Sequence, residues 1–119
     1  MLSDLINDAI DFETRATFFS GAQMEGTIKI GNVGFEFDYL NQRIAKNILI
    51  AFCDIRKVEI NISVRGKLGK EFTIVLPTQA VLRFSSEETG KVIKILREKI
   101  GKDNVVRAPN LLSSFGLRR

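Results

Sequence analysis

Apolar and polar residues alternate along most of the chain. Ile10, Phe12, Thr14, Ala16 and Phe18 are interleaved with Asp11, Glu13, Arg15 and Thr17, the period-two signature of a half-buried strand. The clearest run is Lys57–Arg65. Val58, Ile60, Ile62 and Val64 share one face, and Lys57, Glu59, Asn61, Ser63 and Arg65 share the other, as in a sheet with one wet side. Five further strands are predicted: Thr27–Ile30, Gly34–Tyr39, Asn47–Phe52, a return strand carrying Phe72, Ile74 and Leu76, and Ala80–Phe84. Turn chemistry separates them, at Gly21 to Gly26, Gly31-Asn32, Gly66-Lys67-Leu68-Gly69 and Pro77-Thr78-Gln79. Near the start, Leu2, Leu5, Ile6, Ala9 and Ile10 have helical spacing and predict a short helix in competition with the first strand.

After Phe84 the period changes to 3.6. Ser85-Ser86-Glu87-Glu88 reads as a capping box, with Ser85 accepting from the Glu88 amide. The helix predicted over about 86–100 buries Val92, Ile93, Leu96 and Ile100. Glu87 and Lys91 are spaced for an ion pair, Lys94, Arg97 and Lys99 suit the negative helix end, and Gly101 is a stop. Seven short strands and one terminal helix make the fold class mainly β: a barrel or orthogonal sandwich, with the helix capping an open end. The expected domain spans 1–102, and 103–119 is a C-terminal tail of the same domain.

Composition narrows the function. A chain of 119 residues, 45% hydrophobic, is one domain able to bury a core. No apolar run approaches the length of a membrane span, and the start Met1-Leu2-Ser3-Asp4 lacks a signal-peptide pattern. The single cysteine, Cys53, cannot form an internal disulfide and reads as a small apolar filler at a strand end. Together these point to the cytoplasm.

The chain has no histidine. It therefore lacks the commonest general base, phosphoryl acceptor and transition-metal ligand. Gly66-Lys67-Leu68-Gly69-Lys70 has the wrong spacing for a phosphate loop and is followed by a strand. No catalytic residue, metal site or cofactor is expected.

What remains is binding. The net charge of +4 suits nucleic acid, anionic lipid or an acidic protein. One candidate surface is the basic hairpin of Arg65, Lys67 and Lys70. The other is the tail, where Leu111, Leu112 and Phe115 are flanked by Arg107, Arg118 and Arg119. The tail could dock on a partner or membrane, or fold back on its own barrel. The aromatics fall on strand-core positions and not among the lysines, which weakens the nucleic-acid reading. Edge strands leave a homo-oligomer open.

The order of several short pieces adds a resemblance. These are Lys29-Ile30-Gly31-Asn32-Val33-Gly34-Phe35-Glu36-Phe37, Ile50-Ala51-Phe52-Cys53-Asp54-Ile55, Val64-Arg65-Gly66-Lys67, Phe84-Ser85-Ser86 and Val105-Val106-Arg107. From Phe12 onward the chain resembles the DUF956 family, encoded beside mannose-type sugar phosphotransferase systems of Gram-positive bacteria. It departs from the family at Phe52, where a tryptophan is usual, and at Cys53, where an acid is usual. The resemblance implies a seven-stranded pleckstrin-homology-like barrel and a non-catalytic accessory or regulatory role. The implied partners are mannose-family transporter subunits at the cytoplasmic face of the membrane. Without histidine the chain cannot relay phosphate as the soluble carriers of such systems do. The alternatives are a regulator of the transporter operon, or a module that binds anionic lipid or nucleic acid.

Overall fold

A computed structural model of the protein describes residues 7–43 and 45–109. Residues 2–6 of the short helix predicted from Leu2, Leu5, Ile6, Ala9 and Ile10 lie outside them; residues 7–9 are not helical, and the strand reading prevails at Ile10. The elements are β1 (Ile10–Phe19), β2 (Gln23–Gly31), β3 (Gly34–Tyr39), β4 (Ile48–Ala51), β5 (Lys57–Ile62), β6 (Leu68–Val75), β7 (Val81–Ser85), α1 (Thr89–Ile100) and β8 (Val105–Arg107). Single 3-10 turns at Phe52–Asp54 and Lys102–Asn104 link β4 to β5 and α1 to β8.

The strands form one sheet in the order β4-β3-β2-β1-β7-β6-β5-β8. It has two halves that meet in β1. That strand pairs with β2 almost along its length, but with β7 only through Thr17–Phe19. The halves fold onto each other, so Phe35 of β3 packs against Phe72 of β6 and Phe84 of β7, neither of which pairs with β3. This is the expected mainly β, barrel-like class with a C-terminal capping helix. Neighbours among β1 to β7 in this order pair antiparallel, and β8 joins β5 in parallel.

The core is a phenylalanine seam. Phe35, Phe37 and Phe84 are fully buried, with Phe72, Phe18 and Tyr39 against them. Ring centroids lie 5.0 to 6.4 Å apart, in stacked and edge-on pairs. Such contacts add to the burial energy of the rings. Val92, Ile93 and Leu96 of α1 join this core, as their spacing required.

Three expectations are corrected. First, the described residues form eight strands. Val105–Arg107, expected in a tail, pairs in parallel with Val58–Ile60. The β5 edge presented unpaired backbone, and this segment supplies the missing partners.

Second, Ser85 does not cap the helix. It ends β7, opposite both Thr17 and Glu71, and α1 begins at Thr89 with no side-chain cap. The hydroxyls serve tertiary bonds instead. Buried Ser86 donates from Oγ to the Arg15 carbonyl (2.9 Å) and accepts from the Glu88 amide (3.0 Å). Thr89 Oγ1 donates to the Lys70 carbonyl (2.6 Å), which also accepts from the Ser86 amide (3.1 Å). Glu87 pairs with Lys70, and Lys91 with Glu88, in place of Glu87 with Lys91.

Third, Val64 is not a core residue. β5 ends at Ile62, and Val64 is 97% exposed in the turn that follows.

Candidate binding surface

The β5–β6 hairpin begins with an irregular register. Ile60 faces Phe72, but Ile62 faces Leu68, so Gly69, Lys70 and Glu71 together oppose Asn61. This bulge turns the Lys70 carbonyl toward the start of α1. Beyond it the turn is tied by Ser63. Its amide donates to the Lys67 carbonyl (2.8 Å), and its Oγ accepts from the amides of Arg65 (3.2 Å) and Lys67 (3.1 Å). Gly66 sits at φ +84°, in the left-handed region where a side chain would be strained. Arg65 and Lys67 are held at the exposed tip beside Val64.

Lys70 does not join them. Its Nζ lies 2.9 Å from Glu87 Oε2, with both side chains well exposed. Such a pair contributes little stability, but it offsets the charge that Lys70 was expected to present. Leu111, Leu112 and Phe115 lie outside the described residues.

Arg107 is brought to the hairpin instead. From β8 its Nη2 donates to the Ile62 carbonyl at 3.2 Å, and the Ala108 amide donates to the Ile60 carbonyl at 2.7 Å. Because β8 runs parallel to β5, the chain passes Pro109 heading toward the hairpin tip. Of the tail surface expected from the sequence, Arg107 therefore adjoins the hairpin. The β-branched pair Val105-Val106 was the available signal for this strand. Three residues are too few to separate it from a loop.

Among the described residues, the segments 60–70 and 105–109 hold four cations, Arg65, Lys67, Lys70 and Arg107, and no carboxylate of their own.

A second polar cluster lies on the outer face of β2 and β3. Lys29 Nζ contacts Asp38 Oδ2 at 2.9 Å, and this hydrogen bond raises the Lys29 pKa. Asp38 Oδ1 is buried without a donor among the described residues. Glu36 is two residues away on the same face of β3. Its pKa is pushed up to about 7 by burial first and then by Asp38, while Lys29 acts in the opposite sense. A proton on Glu36 supplies the donor that Asp38 Oδ1 lacks. The fixed cation partly balances the pair, which suits a structural cluster.

Around Cys53 the finding differs from expectation. The thiol is exposed in the Phe52–Asp54 turn and does not fill the core. It borders a shallow groove with Phe52, Ile55, Lys99, Ile100 and Asn104. Lys99 Nζ sits 5.8 Å from the Phe52 ring centre and 3.8 Å from Asp11.

Among the described residues no group of three or more metal-ligating side chains converges, and no helix is long and apolar enough to cross a membrane.

The N-terminal approach to the sheet is fixed by a reciprocal clamp. Asn7 Oδ1 accepts from the amides of Val33 (2.9 Å) and Gly34 (2.8 Å), while Asn32 Oδ1 accepts from those of Asp8 (2.9 Å) and Ala9 (3.2 Å). Gly31 is required here, since a Cβ would strike the Ala9 carbonyl and the Asn7 side chain. This clamp was not foreseen, although Gly31-Asn32 was correctly read as a turn.

Among solved structures, the fold is similar to that of the C-terminal domain of an unknown protein from Leishmania infantum. The TM-score is 0.66 at 12% identity, over 77% of this chain and 84% of that one. At that identity the likeness extends to the fold alone. No curated protein matches the chain. The model of a domain of unknown function, DUF956, matches residues 2–118, and the chain belongs to that family.

Proposed function

We propose that the protein is a non-catalytic accessory or regulatory module of a mannose-family sugar phosphotransferase system. It acts by binding the transporter at the cytoplasmic face of the membrane. The observation that carries this reading is the basic end formed by Arg65, Lys67 and Arg107, none of which has an ion-pair partner among the described residues. Such a surface attracts an acidic partner and raises its encounter rate. The genomic setting that the family resemblance implies points to the transporter as that partner. The chain has no histidine to carry phosphate, so action by contact fits better than a place in the relay.

Capture of the transporter's membrane subunits from detergent-solubilised native membranes tests the reading. Enrichment over an unrelated β-barrel protein, reduced by Arg65→Ala/Lys67→Ala, is expected. Equal recovery on both baits overturns it.

The nucleic-acid alternative is less well supported. Phe18, Phe35, Phe37, Phe72 and Phe84 are buried in the core and offer no stacking platform.

A further inference from the structure

Within the basic end, one residue has no role in partner electrostatics. Val64 is 97% exposed at the tip of a turn that Ser63 holds by four hydrogen bonds. A single exposed valine on a flat surface is unremarkable. Here it projects from the hairpin tip between Ser63 and Arg65, with Lys67 close behind and Leu68, also exposed, at the base. Arg107 stands beside the same hairpin through its bond to the Ile62 carbonyl. Arg65, Lys67 and Arg107 have no ion-pair partner among the described residues, and Glu87 is bound to Lys70. An apolar tip flanked by unpaired cations matches the boundary between headgroups and acyl chains of an anionic bilayer.

We infer that the β5–β6 hairpin tip inserts Val64 into an anionic lipid bilayer while Arg65, Lys67 and Arg107 contact lipid phosphates. This rests on the reading of that end as the binding surface, and it names lipid as a direct ligand. The geometry sets an orientation: β5 and β8 point their hairpin ends at the membrane. The Phe52–Asp54 turn and the C-terminal end of α1 then face away.

The test is co-sedimentation of the purified full chain with vesicles of phosphatidylglycerol in phosphatidylcholine, against pure phosphatidylcholine, with no transporter present. Binding to the anionic vesicles alone is expected. Val64→Ser should weaken it about tenfold, since insertion of the valine side chain is lost without any change of charge. Arg65→Ala/Lys67→Ala should weaken it about 25-fold, from about fivefold per cation removed. Arg56→Ala/Lys102→Ala removes as much charge from the far ends of β5 and β8 and should change binding less than about twofold. All three variants alter exposed positions, and unchanged thermal melts confirm that they fold.

The inference is overturned by equal binding to neutral vesicles or by no binding to anionic ones. It is also overturned if Val64→Ser binds like the parent, or if the far-end variant loses as much as the hairpin variant. Its failure is separable from that of the proposed function. Capture of the transporter in detergent without vesicle binding removes only the lipid contact. Vesicle binding without capture removes only the transporter.

Discussion

Val58 and Val64 sit on the same face of one alternating run, yet one is fully buried and the other almost fully exposed. The difference lies in what stands opposite. Val58 pairs with Ile74 on one side and Val105 on the other, beneath the phenylalanine seam. By Val64 the strand has ended, and the chain has only its own turn for company. Burial is a property of the assembled sheet, and alternation only nominates candidates for it. The core end of the molecule is built for stability, whereas the hairpin end contributes little to stability and carries the charge.

Substitutions can sharpen this contrast. The largest effect belongs to the seam. Phe84 touches Phe18, Phe35, Phe37 and Phe72, so Phe84→Ala should lose about 3–5 kcal/mol by urea denaturation. A loss under about 1 kcal/mol would show that the two halves do not depend on the seam.

Next comes the joint between sheet and helix. Ser86→Ala removes a buried hydroxyl that donates to Arg15 and accepts from Glu88, and should cost about 1–2 kcal/mol. The mutant should also raise hydrogen exchange at the first turn of α1 before it affects β2 and β3.

Third is Glu36. Between pH about 4.5 and about 7 the folded chain holds a proton there that the unfolded chain has released. Its contribution to stability therefore falls as pH rises through that window, and is level above it. Glu36→Gln keeps a donor for Asp38 Oδ1 without the charge. It should gain about 1 kcal/mol at pH 8, once solvent screening of this half-exposed group is allowed for. It should also match the parent near pH 4.5. Parallel stability curves for the two proteins across that range would dismiss the proton-sharing pair.

Smallest is the hairpin. Arg65→Ala/Lys67→Ala should change stability by less than about 0.5 kcal/mol, because both side chains are exposed and neither has an ion-pair partner among the described residues. A clear destabilisation would mean that the tip supports the fold, and would weaken its assignment as a binding surface.

Much of the fold was legible because the apolar period reports which face meets a core. Phe35 with Phe37, Phe72 with Ile74, and Val92 with Leu96 all fall where their spacing placed them. The candidate site was legible only in part. Arg65 and Lys67 stand at the tip as expected, since turn residues and exposed charge are local properties. Lys70 was misjudged because its partner, Glu87, is 17 positions away, and a β bulge sets their distance. Ser85 was misjudged for a similar reason. Its neighbours Ser86 and Thr89 bond to Arg15 and Lys70, which no local capping pattern contains.

The sequence by itself determined a β-rich chain with a terminal helix, a phenylalanine core, no histidine chemistry and a positive surplus, because residue type, period and charge are carried by the chain. Only the tertiary structure decided that the last strand runs parallel to β5 and brings Arg107 to the hairpin. Only it decided that Lys29 of β2 stands against Asp38 of β3. Each of these depends on the register between distant segments, and register is settled when the two halves of the sheet close over their common core.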